Sequence, residues 1–93
     1  LVFTVRDHDL ALQCRAALLA RGVSTKILPE AVTWHFAGTW THMPELVQAH
    51  GGNLTEAFPR SKDLLARAVS LPVMVNMADD VPQTIRAALA EVL

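Results

Sequence analysis

An α+β domain, a small sheet with helices packed on it, is the fold these 93 residues predict, in the order β-α-β-long loop-α-β-α. Three observations carry that reading. Short runs rich in β-branched and aromatic residues stand at 1–6, 23–27 and 71–77. Apolar residues recur at three- and four-residue spacing in the segments between and after those runs. An apolar fraction of 52% supplies one core, and a chain of this length holds a single domain.

Leu1 to Arg6 reads as a buried strand. Asp7 is placed to cap the next helix, and Asp9 sits in its first turn, where negative charge suits the helix dipole. Leu10, Cys14, Ala17 and Leu18 form that helix's apolar face, and Gly22 reads as its left-handed stop. Val23, Thr25 and Ile27 alternate with Ser24 and Lys26 as a second strand, which Pro29 ends. Residues 30–57 are a long connection holding a short helix, with Thr41 as cap, Pro44 in the first turn and Gly51-Gly52 closing it. A helix opens at Pro59 and runs through Leu64, Leu65 and Ala68. Leu71 to Met77 is the third strand, with Pro72 placing its start at a sheet edge. Asp80 and Gln83 have capping-box spacing ahead of a final helix whose inner face is Val81, Ile85, Leu89 and Val92. The connections resemble part of a split βαβ unit. The chain starts inside a strand pattern and stops inside a helix pattern, which reads as a fragment of a longer protein.

Eight basic and nine acidic residues leave a net charge of −1, which offers no electrostatic footprint for nucleic acid or an anionic membrane. No apolar run approaches the ~20 residues of a membrane span. The single cysteine, Cys14, reads as a buried, inert thiol in a reducing cytoplasm. His35, His42 and His50 are spaced by seven and eight residues with no cysteine near, so no metal site is expected. Ser24, Ser61 and Ser70 stand in no nucleophile-elbow context, and Lys26 and Lys62 in no Schiff-base context. No catalytic, cofactor-binding or metal-binding residue is therefore assigned.

Rings and imidazoles converge on one stretch, residues 33–44. It holds both tryptophans, Trp34 and Trp40, and two of the four histidines, His35 and His42. Flat apolar faces beside a few oriented hydrogen-bonding groups suit a polar small molecule. The same rings equally suit the cover of a core edge, or an interface with another domain.

Several motifs in chain order resemble the C-terminal small domain of the DegT–StrS family, fold-type-I pyridoxal-phosphate-dependent sugar aminotransferases. They are Gly22-Val23 after the first helix, His42-Met43-Pro44 in the loop, Pro59 opening a helix, and Ser70-Leu71-Pro72 before the last strand and helix. Trp34-His35, Trp40, His42, Glu45-Leu46 and the string Phe58-Pro59-Arg60-Ser61-Lys62 are similar to one branch of that family. That branch aminates a 3-deoxy-octulosonate sugar to the 8-amino-3,8-dideoxy form used in lipopolysaccharide.

The resemblance implies a cytoplasmic homodimer that moves an amino group from glutamate to a keto or aldehyde sugar. It implies pyridoxal 5'-phosphate held by an N-terminal large domain, which also supplies the Schiff-base lysine. It gives this domain the substrate side of the cleft, with Trp34, His35, Trp40 and His42 against the sugar. Two other classes fit the same residues: a stand-alone small-metabolite-binding module, and a protein-interaction module whose tryptophan-rich loop is an interface. Coding sequence upstream of Leu1 separates them, since only the aminotransferase requires a large domain with a Schiff-base lysine.

Overall fold

The computed structural model describes residues 1–27 and 36–93. Three strands, β1 (Val2–Thr4), β2 (Lys26–Ile27) and β3 (Ala68–Ser70), form one sheet in the order β1-β3-β2. Both β1 and β2 pair antiparallel with β3, in the registers Phe3↔Val69 and Ile27↔Val69. Those two strands are therefore parallel to each other with β3 between them, which is the split βαβ arrangement. Helices α1 (His8–Ala20) and α4 (Val81–Ala90) pack together, and α1 also packs against β3. Within the long connection lie a 3-10 turn (Ala37–Thr39) and helix α2 (Pro44–Ala49), and α3 (Pro59–Ala66) leads into β3. The fold is α+β.

The core joins Val5, Ala11, Cys14, Leu18, Val23, Val69, Leu71 and Ala88, with Phe3, Leu10, Ala17, Ile85, Leu89 and Val92 packed against it. Helix α1 forms where its caps say it should. The Asp7 carboxylate accepts from the Leu10 N–H at 2.8 Å, satisfying one of the unpaired amides of the first turn. The Arg6 guanidinium, and next the Leu10 N–H, hold the Asp7 carboxyl below its ordinary pKa. At the other end Gly22 takes φ +75°, its N–H donates to the Leu19 carbonyl, and the Val23 N–H donates to the Leu18 carbonyl. This is a Schellman closure, with Val23 and Leu18 meeting in the core as its apolar contact. A fork between Arg21 and Glu91, one arm at 2.8 Å, ties the carboxyl ends of α1 and α4 together on the surface.

Several boundaries differ from the sequence expectation: β1 and β2 are confined to Val2–Thr4 and Lys26–Ile27 within the expected runs 1–6 and 23–27. The third strand occupies Ala68–Ser70, not Leu71 to Met77, and it is the central strand. The reason is Pro72, which has no N–H to give a ladder. Leu71 makes the last pair, with its N–H on the Leu1 carbonyl at 2.7 Å, and the chain then leaves the sheet. Helix α3 consequently stops at Ala66 and does not reach Ala68. Asp80 is the N-cap of α4 by position, but its side chain makes no capping bond and its backbone is already helical. Likewise α2 begins at Pro44 with Met43 as N-cap, while Thr41 lies in the preceding turn with its N–H on the Thr39 carbonyl. Pro29 lies outside the described residues.

Candidate functional site

The described part of the aromatic stretch is built from the 3-10 turn outward. The Phe36 carbonyl accepts from the Thr39 N–H at 3.0 Å and from the Thr39 hydroxyl at 2.8 Å. The Trp40 N–H donates to the Ala37 carbonyl, and the Met43 N–H donates to the Trp40 carbonyl, both at 3.1 Å. The N–H groups of Thr39, Trp40, Thr41 and Met43 thus fold the chain back on itself, and Pro44 then starts α2. Gly38 makes the close turn feasible. A Cβ there would sit 2.4 Å from the Phe36 ring, so the ring packs directly on the glycine backbone. At the far end of α2, Gly51 and Gly52 take φ +68° and +85°, and their N–H groups close on Gln48 and Val47. That is a second Schellman closure.

Phe36 and Leu54 are buried, yet they stand outside the main core. Phe36 meets Phe58 edge-on with ring centroids 6.1 Å apart, and His50 meets the same Phe58 at 4.9 Å. Edge-to-face geometry at these distances sets the positive rim of one ring on the negative face of the other. Beside this group an open cleft of about 410 Å³ is lined by Phe36, Ala37, Phe58, Ser61, Leu64 and Leu65. Across Leu64 lies a second cleft, bordered by Pro59, Arg60 and Asp63.

Trp40 and His42 stand two residues apart on the turn that this ring group supports, Trp40 half-buried and His42 exposed. They line neither of the two clefts. Trp34 and His35 lie outside the described residues, so the four candidate substrate contacts are represented here by two. His50, considered with His35 and His42 for a metal, faces Phe58 instead. Among the described residues, no three histidine, cysteine or carboxylate side chains gather as a metal centre. Lys62 is exposed on α3, and Lys26 stands on β2 opposite Ser70. Cys14 is fully buried in the core, and that burial pushes its thiol pKa up, so the nucleophilic thiolate is disfavoured.

The Phe36–Phe58–His50 ring group escaped the sequence reading. Its members are separated by 8 to 22 positions with no shared period, and what unites them is the fold of the connection. The remaining hint was Phe58 directly before Pro59, a ring held at a helix entry.

No helix among the described residues is long and apolar enough to cross a membrane. No protein-family model matches this chain, and it has no match among curated proteins or among solved structures.

Proposed function

We propose that this chain is the small domain of a DegT–StrS-type aminotransferase that moves an amino group, with glutamate as donor, to a keto or aldehyde sugar. The enzyme works in the cytoplasm as a homodimer and serves cell-surface polysaccharide or lipopolysaccharide synthesis. In this reading the domain walls the substrate side of the cleft. Trp34 and Trp40 lend flat faces to the sugar, and His35 and His42 bond its hydroxyls or carboxylate.

One observation carries the proposal. The turn bearing Trp40 and His42 rests on its own ring group of Phe36, Phe58 and His50, not on the main core. A half-buried indole and an exposed imidazole held on a separately braced turn are free to meet a ligand in a cleft shared with a second body. A tryptophan that completed the domain's own core would sit within the cluster of Leu18 and Val69, and Trp40 does not. The molecule's proportions, 49 × 28 × 16 Å, and its radius of gyration of 16.1 Å support the same reading. A compact domain of this length has a radius of about 12 Å.

Pyridoxal phosphate needs a lysine at its aldehyde carbon and donors around its phosphate. The residues described do not fit that group. Lys62 faces solvent on α3 and lines neither neighbouring cleft. Helices α1 and α4 open on the carboxylates of Asp7 and Asp80, which oppose a phosphate. The cofactor is accordingly assigned to the large domain, and this chain's part is positioning.

The test is borohydride reduction of the protein from the complete gene, followed by mass-spectrometric mapping of the pyridoxyl group. The expected adduct is stoichiometric and falls on a lysine outside residues 1–93. An adduct on Lys26 or Lys62, or a complete gene without a pyridoxal-binding domain, would overturn the proposal. The latter result would favour the stand-alone module.

A further inference from the structure

The chain keeps two separate stores of buried apolar surface. The body, made of the sheet with α1 and α4, holds the fully buried Leu18, Val69 and Cys14. The segment 36–66 holds Phe36 and Leu54, and neither belongs to the body's cluster. Extensive packing between elements is confined to β1, β2, β3, α1 and α4. Among the described residues, α2, α3 and the 3-10 turn take no part in it. The segment's backbone bonds point inward instead. The N–H groups of Trp40, Val47, Ala57 and Lys62 donate to carbonyls three or four residues back, all inside the segment.

Polar links to the body lie at the far end of α3. The His8 ring N–H donates to the Ala66 carbonyl at 2.9 Å. Arg67, the C-cap of α3, donates to the Val5 carbonyl and to the Asp63 carboxylate, both at 3.1 Å. These bonds sit where α3 ends and the chain enters β3, and they make that point a joint between segment and body.

We infer that residues 36–66 open from the body as one unit, beyond the Ala66–Arg67 joint, and carry Trp40 and His42 with them while the body stays closed. Helix length makes the opening cooperative. Helix α2 has six residues and α3 eight, each below the roughly 12–15 that a helix needs to persist alone in water. Both depend on the brace of Phe36, Phe58 and His50, which ties together the turn, the close of α2 and the entry of α3. When those rings part, the turn and both helices lose their shared support.

Burial makes the same opening easier than opening the body. Phe58 is only half-buried and His50 is exposed, and neither α2 nor α3 contains a buried residue. Elements with few buried apolar contacts supply the low-stability openings of a native protein. The unit opens in this way whether or not the chain belongs to an aminotransferase.

Native-state amide exchange of the 93-residue chain tests this, read at Trp40, Val47 and Lys62 in the unit and at Val5, Cys14 and Leu18 in the body. The unit amides should share one opening constant, at least about tenfold larger than that of the body. Urea well below the unfolding midpoint should speed the body amides with the full slope of global unfolding, and the unit amides with a smaller one. Val69→Ala should speed the body at least about tenfold and the unit by less than about twofold. Phe58→Ala should raise the unit's opening by about tenfold or more. A single opening constant and urea slope common to both sets would overturn the inference. So would a Val69→Ala variant that speeds both sets by the same factor, or a Phe58→Ala variant whose unit amides exchange as the parent's do.

Discussion

Leu18→Ala measures how much the α1 face holds the domain together. Leu18 has no exposed surface and packs with Cys14, Val23 and Val69. The substitution removes three carbons, and at about 0.8 kcal/mol per buried methylene the transfer loss is about 2.4 kcal/mol. Unrelaxed cavity adds about 24 cal/mol per Å³, so a void of roughly 50 Å³ contributes about 1.2 kcal/mol more. The total, about 3–4 kcal/mol, is a large share of the ~5–14 kcal/mol expected for a domain of this length. The carbonyl of residue 18 still accepts from Arg21 and Val23, so the Schellman closure survives and the loss is one of packing.

Urea denaturation followed by far-ultraviolet circular dichroism provides the assay. With a slope of about 1.5 kcal/mol/M, the midpoint should fall by roughly 2 M with the slope unchanged. Leu19→Ala, one position along on the exposed side, should cost less than about 0.5 kcal/mol. Leu89→Ala, at a half-buried position on α4, should fall between them. Equal midpoints for the Leu18 and Leu19 variants would mean that α1 is rotated and the packing argument is wrong.

Three further outcomes follow from the same structure. Cys14 should react with a thiol reagent on the order of a thousandfold more slowly in the folded chain than in denaturant, because a stability near 5 kcal/mol limits opening to that degree; equal rates would place the thiol at the surface. Gly38→Ala should lower the urea midpoint by an amount matching about 1–3 kcal/mol, since the added methyl meets the Phe36 ring; an unchanged midpoint would move Phe36 away from the turn. The Arg21 hydrogen bond lowers the Glu91 pKa on folding, so the pair's stabilisation is present above the ordinary carboxylate range and is lost as pH falls through the depressed folded value. Glu91→Gln should therefore lower the thermal midpoint at pH 7, with the gap closing in acid and shrinking in high salt because both groups are exposed. A gap that persists at pH 2 would contradict this.

What could be read in advance was what local chemistry decides. Asp7, Gly22 and Gly51-Gly52 determine their helix ends through their own backbone and side-chain bonds, so the ends of α1 and the close of α2 were legible. Spacing placed Leu10, Cys14, Ala17 and Leu18 of α1, and Ile85, Leu89 and Val92 at the end of the chain, on the core side. It put Val81 there too and passed over Ala11 and Ala88, which are small enough to be fully buried where the two helices and the sheet meet. The third strand was not legible, because Val73, Met74 and Val75 have stronger strand character than Ala68-Val69-Ser70. The outcome was decided by pairing with β1 and β2 on both sides of Val69, a non-local fact, together with the missing N–H of Pro72. In the candidate site the concentration of rings was visible as composition. The brace beneath Trp40, in which Phe36 rests on Gly38 and against Phe58, arises only from the fold.

Transient kinetics of the full-length enzyme test the central claim most directly, with Trp40→Ala and His42→Ala compared to the parent in each half of the reaction. A domain that walls the sugar side should lose about 10- to 100-fold in kcat/KM for sugar amination, equivalent to about 1.4–2.7 kcal/mol of transition-state stabilisation. The glutamate half-reaction, with a smaller substrate, should change by less than about threefold, a loss below ~0.7 kcal/mol. Cofactor content should stay at that of the parent. Equal slowing of both halves, or a fall in bound cofactor, would contradict the account and make the turn at Trp40 a support for the fold.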